Sequence, residues 1–341
     1  MPEYLINFFL ITVIIFFINI LIKNTKRLNN FSGQKHQILT KKNAIPLSGG
    51  LVIIISIFIK FYSIDIDLLF FLFLIFLVGF LADFRILKSP LIRFGIQIIV
   101  LFLFIIYLDL SILEIRISWF DSLLRNENFN IFFVLFCFLV LINGSNFIDG
   151  NNTLAIGYYS LIIFIFLIID EPGLHNEYYD LVNFIFVSLI SLLIFNFFNK
   201  LYLGDGGVYL LSTLVGFLLI KLYSQNQNIS PFFIVNLLWY PCFEILFSLV
   251  RKIKTKYSPM DPDTHHLHQL IFRKYLVYFK GKAIISNSFT GLSINSYHLI
   301  IFYISYINLS KSFVQSYLLL LNIGIYLFLY FVLKKNLLIK K

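Results

Sequence analysis

The chain has 341 residues, of which 59% are hydrophobic and 13% charged, and a formal net charge of +10. Its mean hydropathy of +0.88 lies far outside the range of soluble globular domains. A soluble enzyme and a nucleic-acid reader are thereby excluded, because no compact polar segment separates the apolar runs and the basic residues are spread over short loops.

What remains is an all-α, polytopic membrane protein. Apolar runs of roughly 15 to 22 residues recur along the chain, about what a helix needs to cross a core of about 30 Å. The first, 4–22, has no basic segment ahead of it and no small-residue cleavage site after it, so it reads as a retained helix. The second, 47–62, opens on Pro46-Leu47-Ser48-Gly49-Gly50 behind Lys41 and Lys42; adjacent glycines at a helix start let another backbone or a ligand come close. Between the runs at 66–82 and 94–110 lie Gly79, Asp83, Arg85, Ser89-Pro90 and Arg93. An aspartate at the C-terminal end of a helix opposes the helix dipole, so Asp83 needs a partner, with Arg85 and Arg93 the nearest in sequence.

The run at 131–147 ends in Asn143, Asn146 and Asp149, which share a face at about helical spacing, and Asn152 or Thr153 is placed to cap the run at 154–169. After 181–198, the run at 207–222 begins behind Leu203-Gly204-Asp205-Gly206-Gly207. Amides at a helix N-terminus attract phosphate, and a carboxylate among them repels it unless a divalent cation intervenes, so Asp205 reads either as a Mg²⁺ holder or as an N-cap. The run at 231–250 contains Pro241, which should bend it, and Glu244, which is costly at membrane depth unless it faces the protein interior. Ser248 lies one turn further, with Arg251 beyond. The longest polar segment carries His265, His266 and His268 without the spacing of zinc hydrolases. Runs at 293–310 and 313–333 complete a set of about eleven. Cys137 and Cys242 fall inside runs and supply no disulfide framework.

Basic loops stay in the cytoplasm. With the N-terminus out and the C-terminus in, all of the 27 basic residues are cytoplasmic except Lys60, Arg116, Arg125, Lys221 and Lys311. That orientation brings Asp83, Asp149 and Asp205 to one face. The expectation is a single integral-membrane domain over 1–341, whose cytoplasmic loops 23–46, 83–93, 148–153, 199–206 and 251–292 form the active-site face. A basic field there suits anionic headgroups or a phosphate-bearing substrate, and nucleic acid is not an expected partner.

Six blocks in order, Pro-x-x-Gly-Gly at 46–50, Asp83 before Ser89-Pro90, Asn-x-x-Asn-x-x-Asp-Gly at 143–150, Leu-Gly-Asp-Gly-Gly at 203–207, Tyr-Pro-x-Phe-Glu-x-Leu-Phe-Ser at 240–248, and Pro262-Asp263 with His266-Leu267-His268-Gln269, carry a resemblance. From about Gly33 to Arg273 the chain resembles the polyprenyl-phosphate N-acetylhexosamine-1-phosphate transferases, glycosyltransferase family 4. This group includes bacterial undecaprenyl-phosphate N-acetylglucosamine-1-phosphate transferases and the phospho-N-acetylmuramoyl-pentapeptide translocase. The resemblance implies transfer of a sugar 1-phosphate from a UDP-N-acetylhexosamine to a polyprenyl phosphate, with release of UMP, at the start of a lipid-linked cell-envelope glycan. It implies Mg²⁺, with Mn²⁺ as a substitute, and a multi-pass protein of the bacterial cytoplasmic membrane, compatible with a homodimer.

Carried over residue by residue, Asp205 and Asp149 would hold the metal, and Asp83 would act on the lipid phosphate. His266 and His268 would join these three acids as catalytic groups around the pyrophosphate. Asn143, Asn146, Gly206, Gly207, Lys42, Glu244 and Arg251 would bind substrate. Three positions depart from the family pattern: Ala82 where a second acid is common, Thr153 where glycine is usual, and Thr264 where arginine is common. A catalytically impaired member is the first alternative. A transporter of a phosphorylated or anionic solute is the second, although transporter acids usually lie near the midplane between repeated halves.

Overall fold

The computed structural model describes residues 2–25, 28, 45–60, 65–169, 174–226, 228–255 and 265–338. Lys42 and Thr264 lie outside the described residues, as do parts of the 23–46 and 251–292 loops. The described chain is helical throughout: α1 (Pro2–Thr25), α2 (Gly49–Ile59), α3 (Ile66–Asp83), α4 (Pro90–Tyr107), α5 (Ser118–Leu124), α6 (Glu127–Ile148), α7 (Leu154–Ile168), α8 (Leu174–Phe197), α9 (Gly204–Gln225), α10 (Pro231–Thr255), α11 (Leu267–Tyr278), α12 (Ala283–Tyr306) and α13 (Ser312–Leu338).

Every apolar run of the sequence is a helix. Among the described residues eight helices, α1, α3, α4, α6, α8, α9, α10 and α13, are long and apolar enough to cross a membrane, so the chain is an all-α polytopic membrane protein. The other three runs are different in kind. α2 and α7 have only 11 and 15 residues, and α12 begins with a polar half containing Ser286, Asn287, Ser288 and Thr290. At about 1.5 Å per residue, α2 reaches about 16 Å, roughly half a hydrocarbon core. α5 and α11 were not expected, being short and too polar to register as apolar runs.

α9 is the hub. Of its most apolar stretch 89% is buried, against 22% for α1 and α4, which present broad apolar faces outward. Glycines allow this. A Cβ on Gly50 would stand 2.4 Å from the Gly207 nitrogen, and one on Gly79 would stand 2.5 Å from the Asp205 carbonyl carbon, so α2 and α3 touch α9 backbone to backbone. The close approach anticipated at 46–50 is therefore to a backbone. It is fastened by hydrogen bonds from Gly49 N to Tyr202 O (3.0 Å), from Gly50 N to Leu203 O (3.0 Å) and from Tyr202 N to Pro46 O (2.9 Å).

α10 runs through Pro241 as one helix. The proline removes the N–H that Leu237 O would accept, and the Tyr158 hydroxyl donates to that carbonyl instead (2.8 Å). The polar blocks of the sequence gather at one end of the bundle. At the other end Arg116 ties α12 and α13 to the start of α10, donating to Ser310 O (3.4 Å), Ser312 Oγ (2.8 Å) and Ile229 O (3.1 Å).

Candidate active site

Asp83 ends α3, where the dipole disfavours an acid, and the structure supplies its partner. Its two carboxylate oxygens accept from the backbone amides of Asp205 (2.9 Å) and Gly206 (3.0 Å), the first turn of α9. One helix's awkward acid thus satisfies the orphan donors and positive end of another. The geometry depends on Gly204, whose φ is +79° and whose Cβ would stand 2.7 Å from Asp83 Oδ2. Neither arginine flagged as a nearby partner is hydrogen-bonded to Asp83. Arg93, in the first turn of α4, instead donates to Asp205 Oδ2 at 2.6 Å. Asp205 is not an N-cap by position, since Leu203 occupies that place and makes no side-chain cap.

Asp149 follows α6, and its side chain makes no hydrogen bond among the described residues. Burial first, then the charges of Asp205 and Asp83, push its carboxyl above the usual range. Asn146, one turn back, is likewise half-buried and unbonded, whereas Asn143 donates to Gln97 Oε1 (3.1 Å) and to Leu139 O (2.9 Å). Beyond Asp149 the chain turns through Thr153, whose φ of +65° accounts for the family's usual glycine there. Its hydroxyl does not cap α7 as expected. It donates to Ser288 O (2.8 Å), while its amide donates to Asn196 Oδ1, and these bonds hold a conformation that costs about 1–2 kcal/mol without glycine.

The histidines arrive on the first turn of α11. His266 and His268 stack with ring centroids 5.4 Å apart and planes 7° apart, and the His266 ring meets Phe147 edge-on at 5.1 Å. His268 lies over Gly150, with Nε2 3.3 Å from where a Cβ would sit. Both of its ring nitrogens are buried without a partner among the described residues, and burial pushes its pKa down to about 3, which favours the neutral ring. Glu244 lies behind, 1% exposed, bonded to His266 Nδ1 (2.8 Å), Leu267 N (3.2 Å) and the Tyr326 hydroxyl (2.7 Å). Arg251 donates to His265 O (3.1 Å) and Ser248 Oγ (3.2 Å) and lies over the rings of Phe247 and Tyr330.

Asp83, Asp149, Asp205, His266 and His268 are thus gathered at one end, with Asn143, Asn146 and Arg251 around them. Gly206 and Gly207 are buried against Phe80 and Gly50 and form the packing beneath the site. Arg93 and Tyr326 carry no signal as site residues in the sequence. Arg93 reads there only as a candidate partner of Asp83, not of Asp205, and Tyr326 as one more aromatic in an apolar run.

Among the described residues no three Asp, Glu, His or Cys side chains form a ready metal cage. The donor set nevertheless fits one hard cation. Asp149 is uncommitted, Asp205 keeps an oxygen that Arg93 does not use, and Asp83 adds negative charge nearby. Mg²⁺ is commonly held by one or two carboxylates completed by waters and substrate phosphates, which calls for no all-protein cage.

Residues 66–223, which span Asp83, Arg93, Asp149 and Asp205, match glycosyl transferase family 4. The undecaprenyl-phosphate alpha-N-acetylglucosaminyl 1-phosphate transferase of Thermotoga maritima is 28% identical over 277 residues, covering 80% of this chain and 81% of that protein. The decaprenyl-phosphate N-acetylglucosaminephosphotransferase of Mycolicibacterium smegmatis is 26% identical over 185 residues, 48% of this chain and 45% of its own. The undecaprenyl-phosphate alpha-N-acetylglucosaminyl 1-phosphate transferase of Escherichia coli K12 is 28% identical over 160 residues, 42% of this chain and 41% of its own. With residues 66–223 matched across the acid cluster and a relative aligned along four-fifths of both chains, the chain is similar to glycosyl transferase family 4.

Proposed function

We propose that this protein transfers an N-acetylhexosamine 1-phosphate from its UDP derivative to a polyprenyl phosphate, forming a lipid-linked pyrophosphoryl sugar and releasing UMP. The observation that carries the reading is the convergence of Asp83, Asp149 and Asp205 from three helices on the first turn of α9, with the His266–His268 pair against Phe147 and Gly150, close to Asp149 in the chain. The names of the relatives supply the substrate class.

In this reaction a lipid phosphate oxygen attacks the β-phosphorus of the UDP-sugar. The new P–O bond forms as the bond to the bridging oxygen breaks, and UMP leaves with that oxygen. Little covalent machinery is required; alignment and charge stabilisation dominate. Mg²⁺, held by Asp149 and Asp205, would neutralise the pyrophosphate and polarise the reacting phosphorus. Arg93 keeps Asp205 oriented from one side. Asp83, fixed on two α9 amides, retains further lone pairs with which to orient the lipid phosphate or take its proton. His266, through its solvent-reachable Nε2, donates a hydrogen bond to a phosphate oxygen as charge develops, with the His268 ring stacked against it. Asn146, half-buried and unbonded, faces the nucleotide.

The orientation proposed is N-terminus out and C-terminus in, with this end facing the cytoplasm and α2, α7 and α12 completing about eleven crossings. The positions of all but five basic residues support it. The test is direct: purified protein with Mg²⁺, a long-chain polyprenyl phosphate and a panel of UDP-sugars should release UMP, and a chelator should stop it. Absence of UMP with every UDP-N-acetylhexosamine, under conditions in which the Thermotoga maritima relative turns over, would overturn the reading.

A further inference from the structure

We infer that Glu244 and Tyr326 are positioning residues that lock the His266 ring for the transfer, an assignment that rests on the function proposed above. His266 uses its two ring nitrogens differently. Nδ1 is 2.8 Å from Glu244 Oε1, whereas Nε2 makes no hydrogen bond among the described residues and, unlike both ring nitrogens of His268, is not sealed away from solvent. A ring nitrogen beside a carboxylate carries a proton, so the pair fixes the tautomer in which Nδ1–H points back at Glu244 and Nε2 is the nitrogen presented to a ligand. Protonated there, it is a charged donor to a phosphate oxygen; unprotonated, it is an acceptor.

Glu244 is held in turn. The Leu267 amide donates to the same oxygen at 3.2 Å, and the Tyr326 hydroxyl of α13 donates to the other at 2.7 Å. The carboxylate therefore cannot rotate without breaking three bonds. The His266 backbone is fixed as well, because its amide donates to Gln269 Oε1 (3.4 Å) while Gln269 N returns the bond to His266 O (3.0 Å). Phe147 and His268 confine the ring on its edge and face. A buried charge of this kind costs several kcal/mol in desolvation, and an apolar pair of similar volume would pack as well. What the acid supplies that an apolar residue cannot is a defined proton position on His266. Glu244 thus acts on substrate through the ring and makes no contact of its own, and Tyr326, on a helix beyond the matched family core, extends the site to α13.

The experiment measures UMP release for Tyr326→Phe, Glu244→Gln, His266→Ala and the Glu244→Gln/His266→Ala double variant, with thermal unfolding as the folding control. Partners that orient a functional histidine are commonly worth about 10- to 100-fold. Glu244→Gln should lower kcat by that amount with KM for the UDP-sugar within about twofold, and Tyr326→Phe, which deletes a single oxygen, by about 3- to 10-fold. In the His266→Ala background Glu244→Gln should cost nothing more, because its route to the substrate is gone. Wild-type kcat in Glu244→Gln, or a loss that adds in full to that of His266→Ala, would overturn the inference; should Glu244→Gln not fold, Tyr326→Phe decides by the same criterion. A second readout needs no turnover. In ¹⁵N-histidine-labelled protein, the ring that disappears in His266→Ala should carry its proton on Nδ1, and a bare Nδ1 would overturn the assignment even in active protein. If the wild type releases no UMP, the transferase reading fails while the ring signal still decides the positioning.

Discussion

The acid half of the site and the histidine half are built by opposite means. Around α9 the contacts are made on backbone: Gly50 on Gly207, Gly79 on Asp205, and the Asp83 carboxylate on two amides. Around α10, α11 and α13 they are side chain on side chain, with Tyr326, Glu244 and His266 in series and Phe247, Tyr330 and Trp239 packed about them. The first half sets positions by the absence of side chains and has no room to adjust. The second sets them through rotamers and hydrogen bonds, each of which can be altered singly.

The largest effect is therefore expected from filling the glycine contact. Gly207→Val would place its Cβ 2.6 Å from Leu203 Cδ1 and 2.8 Å from the Gly50 Cα, and should destabilise the bundle by about 2–4 kcal/mol and abolish turnover, read by thermal unfolding in detergent and UMP release. A variant of native stability would erase the contrast between the halves. Next come the acids. Asp205→Asn and Asp149→Asn should each cut turnover by about 100-fold or more without unfolding the protein, and should raise the Mg²⁺ concentration required for half-maximal rate. Full activity in both would remove the cation from this end. Tyr158→Phe should cost about 1–2 kcal/mol, because it strands the Leu237 carbonyl that Pro241 has already deprived of its helix partner. Smallest is Thr153→Gly. The relief of a positive φ, about 1–2 kcal/mol, is set against the hydroxyl bond to Ser288 O and the entropy of glycine, leaving stability within about 1 kcal/mol. A loss of 3 kcal/mol there would mean that side-chain bonds govern the acid half too.

Much was legible before the fold. Hydropathy marks a helix well because crossing a bilayer requires a long uninterrupted apolar run, and each of those runs is a helix. The short α5 and α11 escaped it, since neither meets lipid along a full span. Asp83, Asp149 and Asp205 stood out because an acid beside an apolar run needs a reason. Their partners did not, because a hydrogen bond between Asp83 and residues 122 and 123 positions away leaves no mark on local pattern. Glu244 was visible as costly and interior, yet only the packing of α11 and α13 against α10 reveals what holds it.

By itself, the sequence determined the membrane class, the helical runs and the clustering of polar blocks at helix ends, all of which follow from local periodicity and the cost of polar groups in hydrocarbon. The tertiary structure decided which end meets which: that α9's amides take Asp83, that Arg93 takes Asp205, and that a tyrosine on the last helix steadies His266. Those choices depend on which helix backbones approach within a hydrogen bond's length, and approach is a property of packing in three dimensions.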